Sequence, residues 1–362
     1  MFKLYGCLLG LLLATTQQST VVSAELCQYP KVCVPRMLCV NNQTVTTDAQ
    51  GVIGFRRVPP AVECEPLQKC CLLKNVPPIV TENHEPGLCG MRNPNGVRET
   101  PVKAQHDESK FGEFNWVVSV LTSSYCKSKA QICGYTSVGS GSLLTPRVVL
   151  TAAHILNHRT ASELQVRAGE WDNQNEFEEL PYQNQTVLSL ITHEDFNHLN
   201  GYYDISILIL RSPFQLNDHI GTICLPSPQA NFELSRCTVT GWGKRKISDL
   251  SYPNIMKKIE MPFVDRDKCQ QQLRDNTRVG QYFELHESFV CAGGEKDKDA
   301  CFGDGGSPLV CPIANYNDRY QLVGLVSWGL HCGTENVPGV YTNVPMMVPW
   351  IKQQLNLRSI TI

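Results

Sequence analysis

The chain has 362 residues, of which 42% are hydrophobic and 18% are charged, with 32 basic and 34 acidic side chains. The formal charge of −2 excludes a strongly basic protein that binds nucleic acid by neutralising phosphates, and it excludes a highly charged disordered tail. The 17 cysteines indicate a protein built with disulfide bonds in an oxidising compartment, because the reducing cytosol keeps thiols unpaired.

The N-terminal segment has the pattern of a secretory signal peptide. Lys3 provides a positive charge, an apolar run follows at residues 8–14, and small residues at 22–24 form a cleavage pattern. The apolar run is shorter than the roughly 20 residues that span a bilayer. We therefore predict a signal peptide at residues 1–24 and a secreted, extracellular chain with no membrane span. Removal of Cys7 leaves 16 cysteines, an even number.

Two sequons provide acceptors for N-linked glycans in such a secreted chain. They begin at Asn42 and Asn184, and each has the form Asn-Gln-Thr. We expect both asparagines to lie on the surface; the other interpretation of each is a chance match.

Six cysteines are concentrated near the N-terminus, with the spacing C-x5-C-x5-C-x24-C-x5-C-C between residues 27 and 71. A unit of this size buries too little apolar surface to fold alone, so we predict a small domain at residues 25–71 held by three internal disulfides. The spacing leaves 15 pairings open. Residues 72–110 are rich in proline, asparagine and charge, which is typical of a linker.

The region from residue 111 to the end has the pattern of an all-β domain. Short apolar or alternating runs recur between turn residues, and one stretch near the end, Val348–Leu355, has helical character. Examples of these runs are Trp116–Leu121, Arg147–Thr151, Asp204–Leu210, Cys237–Gly241 and Leu322–Trp328.

Three motifs in this region carry a family resemblance. His154 ends the sequence TAAH, Asp204 opens an apolar run, and the loop GDGGSP at residues 303–308 is followed by VSWG at 326–329. Their order resembles that of the chymotrypsin-like serine peptidases, in which a histidine, an aspartate and a serine form the catalytic triad. The resemblance implies two packed six-stranded β-barrels, a site in the cleft between them and a C-terminal helix.

The same resemblance implies most of the disulfides outside the small domain. The family bridge beside the catalytic histidine is missing, since Ile155 and Gly139 occupy its two positions, and Cys126 and Cys133 remain to pair with each other. The implied bridges are Cys89–Cys224, Cys237–Cys311, Cys269–Cys291 and Cys301–Cys332.

The nucleophile of the family is absent. Gly305 occupies the position of the serine, so no hydroxyl is available for attack, although the oxyanion-hole amides of Gly303 and Gly305 remain. Ser307 lies about 6–7 Å further along the chain, too far for proton transfer to a histidine without a rearranged loop. We therefore expect a degenerate triad, with His154 and Asp204 as an inert pair.

A second departure concerns activation. In the family, cleavage releases an N-terminal amine that pairs with the aspartate beside the serine and orders the oxyanion loop. No Arg/Lys–Ile-Val-Gly-Gly junction occurs near residues 98–105, so we expect Asp304 to lack its usual partner.

Two further features of the peptidase-like region leave alternatives open. Asp299 stands where trypsin-like members place the carboxylate that binds a basic side chain, and Gly329 and Gly339 fit open pocket walls, so the pocket either still accepts a cation or is collapsed. The acidic loop from Glu170 to Glu179 resembles a calcium loop, but it is also consistent with a solvated acidic segment. No cofactor is established by the sequence.

The six-cysteine domain resembles the arthropod clip domain. A clip domain before a GDGGSP loop resembles the insect clip-domain serine protease homologues of the prophenoloxidase-activating factor 2 type, including the mosquito A-subfamily. The resemblance implies a non-catalytic cofactor of prophenoloxidase activation and melanisation in haemolymph. It also implies the clip bridges Cys27–Cys70, Cys33–Cys64 and Cys39–Cys71.

Members of this family are themselves cut by an upstream clip protease. Candidate cut sites are Arg57 in the long clip loop and Arg98 in the linker. The expected partners are clip-domain proteases, prophenoloxidase and other haemolymph proteins. Alternatives are a protein that recognises microbial surfaces, a decoy inhibitor of the activating protease, and an active peptidase that uses Ser307.

Overall fold

The computed structural model contains two compact units, Met1–Asn83 and His84–Ile362. It describes the backbone of six short strands between residues 26 and 73, and then residues 89–97, 104–105, 107–125, 132–175, 178, 180–316 and 318–361. Several predictions lie outside the described residues: the signal peptide at 1–24, the clip disulfides, the Cys126–Cys133 bridge, Asn42, Arg57, Arg98 and Glu179.

The N-terminal unit contains two small sheets. One pairs β1 with β5, and the other has the strand order β2-β6-β4-β3, with β4 parallel to β6 and the other pairs antiparallel. The strands are β1 (Leu26–Cys27), β2 (Lys31–Pro35), β3 (Cys39–Val40), β4 (Thr44–Val45), β5 (Val62–Glu63) and β6 (Gln68–Leu73).

The second unit begins with a closed six-stranded barrel of order β10-β11-β12-β9-β8-β7. In β10, buried and half-buried residues alternate, as expected for a strand with one face in a core, whereas all five residues of β12 are buried. The strands are β7 (Val117–Tyr125), β8 (Ile132–Thr145), β9 (Val148–Thr151), β10 (Leu164–Ala168), β11 (Gln183–Thr192) and β12 (Ser206–Leu210).

A second closed barrel follows, with the order β13-β14-β15-β18-β17-β16. All neighbouring strands in it are antiparallel. The strands are β13 (Arg236–Gly241), β14 (Lys257–Val264), β15 (Phe289–Gly293), β16 (Pro308–Pro312), β17 (Tyr320–Trp328) and β18 (Pro338–Asn343). Together the barrels confirm the all-β, chymotrypsin-like fold class.

Two helices accompany the second barrel. The C-terminal helix, α2 (Val344–Asn356), begins four residues before the predicted helical stretch, because the Asn343 side chain caps it by accepting from the amide of Met346. The sequence analysis did not predict α1 (Arg266–Asn276), which is mostly polar and buries only Cys269 and Leu273. Among the described residues, no helix is both long and apolar enough to cross a membrane.

Within the second unit, covalent and ionic contacts fix the segment before the first barrel to the rest of the unit. Cys89 forms a disulfide with Cys224. Glu113 is fully buried, and its carboxylate accepts from the Arg92 guanidinium at 2.5 Å and the Lys258 ammonium at 2.8 Å. The other disulfides among the described residues are Cys237–Cys311, Cys269–Cys291 and Cys301–Cys332, all of which the family resemblance implies.

Candidate functional site

The histidine and aspartate of the predicted triad are in contact. His154 lies in a 3-10 turn after β9, and Asp204 lies two residues before β12. The His154 Nδ1 atom is 2.7 Å from Oδ2 of Asp204, and the His154 backbone amide donates to Oδ1 at 2.8 Å. The Ser327 hydroxyl also donates to Oδ2, at 2.6 Å. These bonds fix the imidazole orientation, as a general base requires.

Gly305 stands directly in front of this imidazole. A methyl group added at Gly305 would lie 2.7 Å from Nε2 of His154 and 2.7 Å from Cγ2 of Ile155. A methyl group at Gly139 would lie 2.8 Å from Cδ1 of the same isoleucine. Ile155 therefore fills the space at the two positions where the family bridge is missing, and it crowds the position of the nucleophile.

Ser307 is placed away from the cleft. It is fully buried, its Oγ has no hydrogen-bond partner in the described part of the chain, and a methyl group added at Gly241 would lie 2.5 Å from that Oγ. Its backbone pairs with Val326 and Asp304. Ser307 does not line the cavity that contains His154.

Asp304 has a partner other than the N-terminal amine that pairs with this aspartate in the family. The Lys257 ammonium, at the start of β14, lies 2.5 Å from Oδ2 of Asp304, and both residues are at most 1% exposed. The same carboxylate accepts from the backbone amides of Gly243 and Cys301, each at 2.8 Å. An internal lysine thus provides the buried cation that a released N-terminal amine provides in the family.

This ion pair holds the loop that forms the predicted oxyanion hole. Gly303 has a φ of +95°, a left-handed conformation that favours glycine. The Phe302 carbonyl accepts from the Lys244 amide at 2.8 Å. Gly303 and Gly305 both line the cavity, and neither amide donates a hydrogen bond to another group among the described residues.

Asp299 lies in the same cavity, which has a volume of about 490 Å³ and is open rather than collapsed. Oδ2 of Asp299 accepts from the Gly333 amide at 3.1 Å, whereas Oδ1 makes no well-formed hydrogen bond in the described part of the chain. Burial raises the pKa of this carboxyl group to about 7. Gly339 is required here, because a methyl group on it would lie 2.8 Å from Oδ1.

A second cavity of about 460 Å³ adjoins the first and shares His154, Ser327 and Trp328 with it. Its other lining residues include both ring-bearing and polar side chains, among them Tyr202, Phe283, His286, Phe289, Asn200, Asp204 and Glu284. No local sequence pattern indicates this cavity, because its residues come from four separate segments of the chain. It lies beside the pocket of Asp299.

The acidic loop does not fit a calcium site in its described part. Glu170 is paired with the Arg167 guanidinium at 2.9 Å, so one of the carboxylates that a metal ion would need is already neutralised. Both Asp172 carboxylate oxygens accept from neighbours in the loop, the Gln174 amide and the Asn175 side chain. No cluster of three metal-binding side chains occurs among the described residues.

Asn184 lies in β11 and is exposed, as the glycosylation prediction requires. Its Oδ1 accepts from Nε of Arg167 at 3.0 Å.

Comparison with known proteins assigns the chain to a family. The family model described as trypsin matches residues 104–351, and the model described as the serine protease clip domain PPAF-2 matches residues 20–72. The chain belongs to the trypsin family, among its clip-domain serine protease homologues.

Individual relatives agree with this placement. Phenoloxidase-activating factor 2 of Galleria mellonella is 44% identical over 290 residues, which cover 78% of this chain and 94% of that protein. An inactive CLIP domain-containing serine protease, A8, of Anopheles gambiae is 37% identical and covers 88% of this chain and 87% of its own length. Another inactive member, A3 of Aedes aegypti, is 38% identical over 90% of this chain and 67% of its own.

The first prediction concerns the buried ion pair. Replacement Lys257→Met leaves the Asp304 carboxylate buried without its cation, so the free energy of unfolding should fall by about 3–5 kcal/mol. Urea denaturation followed by tryptophan fluorescence measures this change. Lys246→Met is the control, since its ion pair with Asp297 is solvent-exposed and should contribute at most about 1 kcal/mol. An equal loss of unfolding free energy in the two variants would contradict the assignment of Lys257 and Asp304 as a stabilising buried ion pair.

The second prediction concerns the lost nucleophile. Gly305→Ser alone should not hydrolyse an arginine amide substrate, because its Cβ would overlap His154 and Ile155. The double variant Gly305→Ser/Ile155→Ala removes the contact with the isoleucine and leaves only the tip of the His154 side chain to shift, so it should regain measurable hydrolysis. Equal hydrolysis by the single and the double variant would show that Ile155 does not prevent a serine at position 305 from acting as the nucleophile.

The third prediction follows from the raised pKa of Asp299. This carboxyl group is neutral below about pH 7 and charged above it, so a cation binds better as the pH rises. Benzamidine affinity, measured by calorimetry, should increase roughly tenfold from pH 6 to pH 8. The imidazoles of His154 and His331 share the cavity, and their contribution is measured in Asp299→Asn. An equally steep profile in that variant would exclude Asp299 as the cause.

Proposed function

We propose that this chain is a secreted, non-catalytic serine protease homologue that acts as a protein cofactor or regulator in the prophenoloxidase cascade of insect haemolymph. The observation that carries the proposal is Gly305, which places no hydroxyl in front of an otherwise intact His154–Asp204 pair. Without a nucleophile, the cleft binds a protein segment and does not cleave it.

The position of Ser307 supports the absence of catalysis. Its hydroxyl is buried beside Gly241, outside the cavity that holds the imidazole. Proton transfer to His154 requires a contact of about 2.6–3.2 Å, which a buried side chain on the far side of the loop does not make. The inactive relatives of the two mosquitoes are consistent with this conclusion.

The similarity to a phenoloxidase-activating factor supports the place in the cascade, because it extends over most of both chains. In this proposal the partners are the clip-domain protease that activates prophenoloxidase, and prophenoloxidase itself. An upstream clip protease cuts the chain after Arg57 or Arg98. After a cut at Arg98 the N-terminal fragment, which contains Cys89, stays attached through the disulfide of Cys89 with Cys224.

Secretion is supported by the signal-like segment and by the disulfides of the second unit. The exposed Asn184 is a suitable glycan acceptor for a protein that passes through the secretory pathway.

The test is a reconstituted assay of phenoloxidase activity. Prophenoloxidase and its activating protease are incubated without this protein, with the intact chain, and with the chain pre-cut by the upstream protease. We expect activity to rise only with the pre-cut form. Arg57→Gln and Arg98→Gln identify the required cut, since the variant that resists it should be inactive.

The remaining outcomes separate the alternatives. A fall in phenoloxidase activity would replace the cofactor with a decoy inhibitor that occupies the protease. No change, together with retention on bacterial cells, would replace it with a protein that recognises microbial surfaces.

A further inference from the structure

We propose that the Cys89–Cys224 disulfide is a redox-sensitive site, which a reductant with two neighbouring thiols opens in preference to the other disulfides of the described residues. Arg319 makes the bond reducible by stabilising the two thiolates that reduction releases. The chemistry of the site does not depend on the proposed function, and only its consequence for a cut chain rests on that function.

The guanidinium group of Arg319 lies against both sulfur atoms of the bond. Its Nη2 atom is 3.7 Å from Sγ of Cys89 and 3.7 Å from Sγ of Cys224. Two further contacts hold the group there, because Nε donates to the Cys89 carbonyl at 3.0 Å and the guanidinium lies 5.2 Å from the centre of the Tyr316 ring. Among the described residues, Arg319 forms no ion pair with a carboxylate. Its positive charge is therefore available to a thiolate.

A cation beside the sulfur atoms changes how readily a disulfide opens. Exchange proceeds by attack of a thiolate on one sulfur, and the other sulfur leaves as a thiolate, which occurs faster when that thiolate is more stable. An arginine next to a cysteine sulfur favours the thiolate over the thiol. Because the same Nη2 atom contacts both sulfurs, it stabilises each of the two thiolates in turn.

Access from solvent determines which sulfur is attacked first. Cys89 is half-buried, whereas Cys224 is only 7% exposed. The thiolate of the reductant therefore attacks Sγ of Cys89. The S–S bond breaks, its electron pair passes to Sγ of Cys224 as a thiolate, and Cys89 remains in a mixed disulfide with the reductant.

The second thiol of the reductant completes the reaction. It loses its proton to solvent and attacks the reductant's own sulfur in the mixed disulfide. This step releases Cys89 as a thiolate and closes a cyclic disulfide on the reductant. Two electrons have then passed from the dithiol to the protein, and the two protons of the dithiol have passed to solvent, from which the cysteines are protonated.

The Cys301–Cys332 disulfide provides a matched comparison within the same chain. Cys301 is 8% exposed and Cys332 is half-buried, so the two bonds differ little in exposure. No side chain among the described residues donates a hydrogen bond to the sulfurs of Cys301 and Cys332. Exposure alone predicts similar reduction rates for the two bonds, whereas the Arg319 guanidinium predicts faster reduction of Cys89–Cys224.

In the proposed function, this bond decides whether a cut chain stays in one piece. After a cut at Arg98, the fragment that contains Cys89 is held to the rest of the second unit by the disulfide and by noncovalent contacts. Reduction removes the covalent part of this attachment, so the fragment can then dissociate. The noncovalent contacts include the backbone hydrogen bonds of Gly90 with Thr222 at 2.7 Å and with Tyr320 at 2.8 Å, and the Arg92–Glu113 ion pair.

The experiment exposes the uncut full-length chain to dithiothreitol at pH 7.5, and samples taken over time are quenched with an alkylating reagent. Peptide mass spectrometry then gives a separate reduction rate for each disulfide. We expect Cys89–Cys224 to be reduced at least about tenfold faster than Cys301–Cys332. An equal or slower rate for Cys89–Cys224 would overturn the proposal.

The protein variant is Arg319→Met, and Arg319→Lys is the control that keeps a positive charge. Arg319→Met should slow the reduction of Cys89–Cys224 by about threefold or more and leave that of Cys301–Cys332 unchanged, whereas Arg319→Lys should retain most of the rate. A merely structural role of Arg319 predicts the opposite sign, because loss of its bond to the Cys89 carbonyl would loosen the segment and expose the disulfide. An unchanged or faster rate in Arg319→Met, or an equal loss in Arg319→Lys, would overturn the proposal.

Failure of this proposal can be distinguished from failure of the proposed function. The reduction rates are measured on the uncut chain without prophenoloxidase, so a Cys89–Cys224 bond that resists the dithiol overturns the redox site and leaves the cofactor role standing. Should the bond be reduced as expected while the pre-cut chain does not change phenoloxidase activity, the redox site stands and the cascade role fails.

Discussion

The ammonium group of Lys257 and the carboxylate of Asp304 lie 2.5 Å apart, and both side chains are almost completely excluded from water. Burying two charges has a large desolvation cost, which is offset only where the remaining hydrogen-bonding groups are also satisfied. Here the lysine donates to the Lys244 carbonyl, and the aspartate accepts from Gly243 and Cys301. The pair thereby connects β14 to the loop before β16, and the geometry of the cleft depends on that connection.

The departure from a complete catalytic triad is confined to a small region of a well-formed cleft. The imidazole keeps its bonds to Asp204, the loop amides are held by the buried pair, and the pocket of Asp299 is open. At the position of the nucleophile, Gly305 provides the space that His154 and Ile155 occupy. The packing around Gly305 is therefore complementary to glycine, and a serine hydroxyl cannot be added there without moving its neighbours.

Part of this arrangement could be predicted from local patterns, since apolar or alternating runs indicated β7, β9, β12, β13 and β17. The two barrels and the cleft between them followed from the family resemblance carried by the motifs around His154, Asp204 and Gly305. The Lys257–Asp304 contact left no such pattern, since its partners are far apart in the chain and β14 carries other charged residues. The helix α1 was missed because its two buried residues are too few to produce a helical apolar period.

Because an internal lysine orders the loop, the cleft assembles without any proteolytic cut. In a protease that depends on a released N-terminal amine, the cut and the formation of the site are one event. Here the cation is Lys257, which is present before any cut, so the pocket of Asp299 and the amides of Gly303 and Gly305 are assembled in the intact chain. A requirement for cleavage in the cascade would therefore have to arise outside the cleft, in the clip loop or in the linker. Ligand binding at the cleft and activation by a cut in the clip loop or the linker are then independent properties. A variant that abolishes one should leave the other intact.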